Sequence, residues 1–178
     1  AYLNAPLEED IYMRLPPGIA REGYCYKLKK SLYGLKQSAR NWYNLLANWL
    51  KAHGLNISKH DKCFFFRLSP DIIFVVIYVD DLVMFFASER TKKLFVESFE
   101  KDFKISMSKD LSFYLGITIT LSVKGTHLSQ GSYTRELLMK YGLSSCIPRS
   151  TPADPQRLLK ATGDDELCPT TKYRELVG

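Results

Sequence analysis

Two adjacent carboxylates, Asp80 and Asp81, stand between two runs of almost unbroken apolar residues, IIFVVIYV at 72–79 and LVMFFA at 82–87. Each run is rich in β-branched and aromatic side chains and has the length of a strand. An ionised carboxylate is expensive to bury without a partner. The chain must therefore reverse at the pair, in a tight hairpin whose tip carries both Asp side chains into solvent or into a site. Neither run alternates with polar residues, so the hairpin is expected in the middle of a sheet, buried on both faces or nearly so. Two readings of the tip stay open. Asp is a favoured turn residue, which makes this a plain hairpin. Alternatively, the pair holds hard cations, since Mg²⁺ takes one or two carboxylates together with substrate phosphates. Two such ions about 4 Å apart can activate an attacking oxygen and stabilise a leaving one.

The surrounding pattern supplies a domain for such a hairpin. With 178 residues, 46% of them hydrophobic, the chain can form one domain with a real core, or one domain and the start of another. Residues 38–53 predict a helix, because Trp42, Leu45, Leu46, Trp49 and Leu50 recur on one face and Gly54 is placed to end it. Core packing is the reading of that face. A second helix is expected over 88–103, capped by Ser88 with Phe95, Phe99 and Phe103 one turn apart, and a third over 132–141. Short strands are expected at 11–13, 24–28, 63–68, 112–121 and 126–129, with turns at Pro16-Pro17-Gly18 and Lys124-Gly125. After Pro148 the prolines and the run Gly163-Asp164-Asp165-Glu166 read as a linker.

Composition narrows the class. The formal charge of +6 suits a polyanionic partner, although many soluble domains carry as much. Cys25, Cys63, Cys146 and Cys168 show no zinc spacing and read as reduced thiols of an intracellular protein, Cys63 and Cys25 in the core. His53, His60 and His127 have no metal-ligand spacing. No secretory signal is visible, and both ends of the chain look like cuts. The longest apolar stretch, 72–87, is interrupted by the Asp pair and is too short for a bilayer, so no membrane partner is expected.

Five blocks in order then bring in a family. Tyr78-Val79-Asp80-Asp81 between apolar strands resembles the signature of reverse transcriptases. Residues 1–13, AYLNAPLEEDIYM, resemble the segment after the first catalytic Asp of copia-type LTR retrotransposons, and residues 27–43, KLKKSLYGLKQSARNWY, their most recognisable block. Residues 113–117, FYLGI, are similar to their primer-contacting hairpin, and STP at 150–152 with YRELVG at 173–178 to the segment leading toward connection and RNase H regions.

The resemblance implies an α+β fold of the polymerase-palm type, an antiparallel sheet of about four strands with helices on one face. It implies a palm over 1–131, the start of a thumb over 132–147 and a linker over 148–178. The activity implied is RNA-directed DNA synthesis, by two-metal transfer of a nucleotide from dNTP to a primer 3′-OH. Asp80 and Asp81 would be catalytic metal ligands for two Mg²⁺ ions, or Mn²⁺. Tyr2 would be a steric gate against a ribose 2′-OH, with strand packing as its ordinary alternative. Tyr33, Gly34 and Lys36 would meet the incoming nucleotide, Gly34 by allowing close backbone approach. Tyr78, Leu115 and Gly116 would contact primer or template, and Lys109 would donate a proton to the leaving pyrophosphate. Lys29, Lys30, Lys36 and Arg40 would face phosphates, or else form a solvated face.

Partners implied are an RNA or DNA template, a DNA primer, dNTP, and the fingers, thumb and RNase H parts of a Pol polyprotein. The location implied is cytoplasmic, in virus-like particles, with a nuclear phase. The family's first catalytic Asp falls before Ala1, so these residues alone are expected to be inactive. Two other readings remain: a decayed or domesticated remnant that binds nucleic acid or protein without catalysis, and an unrelated two-metal nuclease. The nuclease would need more carboxylates near the pair, and Asp71, Glu89 and Asp110 are poorly placed for that.

Overall fold

The computed structural model describes residues 1–19, 21–108, 110–151 and 169–177. They fall into two compact units, Ala1–Ser106 and Met107–Gly178. The class is α+β, as expected; the described residues form three antiparallel sheets and four α-helices, where one main sheet and three helices are read from the sequence.

In the first unit a short 3-10 helix, Tyr2–Asn4, precedes a two-stranded ribbon of β1 (Tyr12–Arg14) and β2 (Cys25–Lys27). Helix α1 (Ser38–Ala52) follows, then four strands: β3 (Asn56–Ile57), β4 (Phe64–Arg67), β5 (Ile73–Tyr78) and β6 (Asp81–Phe86). These four form an antiparallel sheet in the order β3-β4-β5-β6. Helix α2 (Glu89–Asp102) closes the unit.

Both helices pack on one face of that sheet. Strand periodicity puts Ile73, Val75 and Ile77 of β5 on the same side, and all three are buried with Phe65 of β4. Against them lie Trp42, Leu46, Ala47 and Leu50 from α1 and Phe95 and Phe99 from α2, with Phe103 just beyond α2. The apolar spacing read from the sequence is therefore the core spacing.

Both helix ends have local causes. Gly54, at φ +81°, takes the left-handed turn that stops α1, and its N–H donates to the Lys51 carbonyl. The Ser88 hydroxyl accepts from the Thr91 N–H at 3.1 Å and so caps α2. Trp49 joins the helices: it stacks on His53, meets Phe99 edge-on at 4.9 Å, and donates its indole N–H to Asp102 at 2.7 Å.

Several expectations need correction. The strands are not buried on both faces. The second face carries Phe64, Phe66, Phe74 and Phe85 and remains partly open, with Phe85 50% exposed. Here aromatic bulk, not burial, accounts for the missing alternation. Among the described residues β6 pairs only with β5, so the β5–β6 hairpin lies at one side of this sheet. Cys25 is exposed, since both faces of its two-stranded ribbon are open. Cys63 does pack against the core, and Cys25, Cys63 and Cys146 are free thiols.

The second unit has its own three-stranded antiparallel sheet, β7 (Phe113–Tyr114), β8 (Ile117–Ser122) and β9 (Gly125–Ser129), followed by α3 (Gly131–Lys140). The single strand expected over 112–121 is thus two, because the chain reverses at Leu115-Gly116, where both residues have positive φ. The two compact units meet at Ser106/Met107, and β7–β9 share no strand with the larger sheet. Within the segment expected as linker, Thr170–Val177 forms a helix, α4. Residues 152–168 of that segment lie outside the described residues. No helix among the described residues is long and apolar enough to cross a membrane.

Candidate active site

The acidic pair sits where the carboxylate argument puts it. Tyr78 pairs with Asp81 across the hairpin, which leaves Val79 and Asp80 as a two-residue loop. Asp80 is at the tip with its side chain 53% exposed, and Asp81, the first residue of β6, is exposed as well. The turn is strained. Val79 has φ +51°, a conformation in which a β-branched side chain is a true outlier and for which hairpin loops ordinarily use Gly or Asn. Such a residue costs on the order of 1–3 kcal/mol and persists only where its surroundings enforce it. The indole N–H of Trp42 supplies one such restraint, donating to the Val79 carbonyl at 2.7 Å.

The loop before α1 supplies the next side chain. The Ser38 hydroxyl donates to the Leu32 carbonyl, and the Ser31 N–H donates to the Ala5 carbonyl at 2.9 Å. Ser31 and Ser38 are fully buried, so the loop is anchored on both sides of Tyr33. Gly34, at φ +100°, provides the backbone reversal that an L side chain would resist. Tyr33 is thereby presented to the hairpin tip, where its hydroxyl donates to both Asp80 oxygens at 2.5 and 2.6 Å. Its ring lies against Tyr2, with centroids 4.3 Å apart. The α-amino group of Ala1 reaches Asp80 at 2.8 Å.

Tyr2, Tyr33, Gly34 and Asp80 therefore gather at one place, although far apart in sequence. Tyr2 lies on no strand. The Asn4 and Ala5 N–H groups donate to the Ala1 and Tyr2 carbonyls, which winds the segment into its 3-10 turn.

These contacts favour the ionised form of Asp80. The Ala1 amine first, and the Tyr33 hydroxyl second, hold the Asp80 carboxyl below its ordinary value. The same hydrogen bond pushes the Tyr33 phenol up. A lowered carboxyl stabilises the fold above the ordinary aspartate range, and that contribution is lost as pH falls through the lowered value. Solvent screening keeps it small for a side chain this exposed. Tyr33→Phe is expected to move the Asp80 titration upward, as followed by the side-chain carboxyl carbon in NMR. An unchanged midpoint would remove Tyr33 as a partner of the ionised form.

The remaining expected residues divide by location. Tyr78 is exposed at the end of β5 beside the tip. Lys29, Lys30, Lys36 and Arg40 are exposed and pair with no described carboxylate. Leu115 and Gly116 form the β7–β8 turn of the other unit. Lys109 lies outside the described residues.

The described residues contain no group of three or more His, Cys, Asp or Glu placed to hold a metal ion. The donor set at the tip is Asp80 with Asp81. Two exposed carboxylates fit Mg²⁺ in its usual mode, in which few protein oxygens are used and phosphates supply others.

Sequence reading assigned Trp42 to core packing and missed its contact with Val79. The available signal was chemical: a tryptophan on a buried helix face needs an acceptor for its N–H.

What this geometry defines is an α+β domain whose exposed acidic hairpin is braced from behind by a helix and from the side by tyrosines. The chain belongs to the reverse transcriptase (RNA-dependent DNA polymerase) family, whose profile matches residues 1–155. It is 32% identical, over its whole length, to the retrovirus-related Pol polyprotein from transposon RE1 of Arabidopsis thaliana, and spans 12% of that protein. It is 30% identical over 96% of its length to the corresponding polyprotein from transposon TNT 1-94 of Nicotiana tabacum, spanning 13% of it. The match to the transposon Ty1-DR5 Gag-Pol polyprotein of Saccharomyces cerevisiae is 30% over 94% of the chain and 10% of that protein. No solved structure matches the chain. The retrotransposon relationship implied by the sequence blocks is thus the observed one.

Proposed function

We propose that this chain is the palm of an RNA-directed DNA polymerase within a retrotransposon Pol polyprotein. The observation that carries the reading is the Asp80-Asp81 tip on an antiparallel hairpin, with Tyr2 and Tyr33 gathered against it. The bound Mg²⁺ pair would supply activation of the primer 3′-OH and neutralisation of charge on the phosphates and leaving pyrophosphate.

The chain's own residues do the positioning. The hairpin would hold the Asp80 and Asp81 carboxylates, as metal ligands, at a fixed point, and such positioning with electrostatics carries most of phosphoryl-type transfer. Tyr33 holds the Asp80 carboxylate in place and packs against Tyr2, whose ring would exclude a ribose 2′-OH and so select deoxynucleotides. Gly34 opens the backbone beside them to the incoming nucleotide, and Lys36 faces its phosphates. Tyr78 underlies the primer end, with Leu115 and Gly116 along its backbone and Lys109 as proton donor. Template, primer and the other Pol regions are the partners, and cytoplasmic particles with a nuclear phase are the setting.

Two carboxylates are few for two divalent ions, so these residues alone are expected to be inactive. The test is dNTP incorporation on an RNA template with a DNA primer, comparing this chain with the longer Pol protein that contains it. Mg²⁺-dependent extension by the longer protein alone supports the reading. Extension by neither, with template still bound, favours the non-catalytic binding module. Cleavage of nucleic acid without dNTP favours a nuclease.

A further inference from the structure

The strained turn raises the question of what holds it. Val79 is 36% exposed and its side chain gains little by adopting φ +51°. The restraint must come from the flanking strands and from whatever binds the loop backbone. Strand pairing fixes the loop ends through Tyr78 and Asp81. The Val79 carbonyl is bound from outside the hairpin by Trp42, at 2.7 Å.

Trp42 is well placed to act as a fixed point. Its side chain is 6% exposed, it sits on α1 one turn before Leu46, and its ring meets Phe103 edge-on at 5.5 Å. Helix α1 also follows directly on the loop that carries Tyr33. One helix therefore grips the hairpin tip twice: at the backbone through Trp42, and at the Asp80 carboxylate through the Tyr33 loop.

We infer that Trp42 is a positioning residue for the catalytic turn, whose indole N–H holds Val79 in its left-handed conformation and so aims Asp80. This inference rests on the polymerase reading. Trp42 touches neither substrate nor metal in this scheme and acts only through the peptide it binds. Without the N–H, the turn is free to relax toward a conformation that a valine prefers, and the adjacent Asp80 moves with it. Misplacement of a reacting group by about 1 Å can lower a rate about 100-fold.

The test uses the longer Pol protein and replaces Trp42 with 3-benzothienylalanine, which keeps the size and shape of the ring but lacks the N–H donor. Trp42→Phe serves as the encoded counterpart, and a thermal melt monitors folding of each. Single-turnover extension is expected to fall about 10- to 100-fold in maximal rate. The apparent dNTP affinity should change little and the Mg²⁺ requirement should rise. Val79→Gly, added to the Trp42 replacement, should restore most of the rate, because glycine adopts positive φ freely.

A second readout is independent of activity. The chain has two tryptophans, so ¹⁵N-indole spectra carry two signals, and that of Trp42 should be strongly protected from exchange. A folded benzothienyl protein with an undiminished rate would overturn the inference. So would a rate loss that Val79→Gly leaves unrepaired, or an unprotected Trp42 signal. If the unaltered longer protein fails to extend a primer, it is the polymerase reading that falls. The exchange measurement on Trp42 still decides whether the turn is held.

Discussion

Asp80→Asn in the longer Pol protein is expected to abolish primer extension while leaving the fold nearly unchanged. The side chain is half exposed at a loop tip and contributes little to packing, so its polar isostere should be accommodated. The fold loses at most the charge assistance in a hydrogen bond from Tyr33 that the amide oxygen can still accept. On the polymerase reading, the site also loses the charge of one of the two carboxylates at the tip. Removing one electrostatic stabiliser from an active site typically lowers the rate about 10²–10³-fold. Loss of a shared metal ligand should exceed that. Incorporation assays over a range of Mg²⁺, run beside a thermal melt, separate the two effects. Robust extension by a well-folded Asp80→Asn protein would take Asp80 out of the catalytic role.

The largest stability effect is expected at Phe99. It is 1% exposed in the middle of the aromatic cluster, 4.9 Å from Trp49 and 4.8 Å from Phe103 between ring centroids. Phe99→Ala removes a full ring from between two helices and the sheet, where the neighbours are too large to close the void. Such truncations cost about 3–5 kcal/mol. For a unit of this size the midpoint of thermal unfolding should drop by more than about 10 °C. Chemical denaturation should agree, with the midpoint lowered and the slope unchanged. A loss below about 1 kcal/mol, the centre of the ordinary mutational range, would show that this cluster is not the core of the unit.

Much of this was legible because the signals were local or periodic. Trp42, Leu46 and Leu50 mark the buried face of α1 by spacing alone, and Ser88 and Gly54 mark helix ends by their chemistry. Asp80 was located by the cost of burying charge between apolar strands. The less legible features depend on contacts between distant parts of the chain. Nothing in the sequence near Tyr33 shows that its hydroxyl meets Asp80, 47 residues away. Tyr2 looked like a strand residue because its neighbours do not encode the 3-10 turn, which the Asn4 side chain helps to close on the Ala1 carbonyl. The open second face of the sheet was misread because exposed Phe85 and buried Ile77 look alike in a run of apolar letters. The role of Trp42 was hidden for the same reason: burial was predicted, but the direction of its N–H was not.

The edge position of β6 gives the acidic pair a second consequence. An edge strand offers unpaired backbone groups to any other extended chain, and natural proteins guard such edges with charge, proline or brevity. The opposite edge, β3, is two residues long. Strand β6 runs six residues, and after Asp81 all of them are apolar: Leu82, Val83, Met84, Phe85 and Phe86. Segments of that composition are self-association hazards, and a flanking charge acts as their gatekeeper. Asp81 is the one charge on the strand itself, so among the described residues it is the side chain that guards this edge, besides the role proposed for it above. Neutralising both at once should therefore turn a solubility problem loose in the same experiment that was meant to read out catalysis, and single substitutions are the cleaner probes.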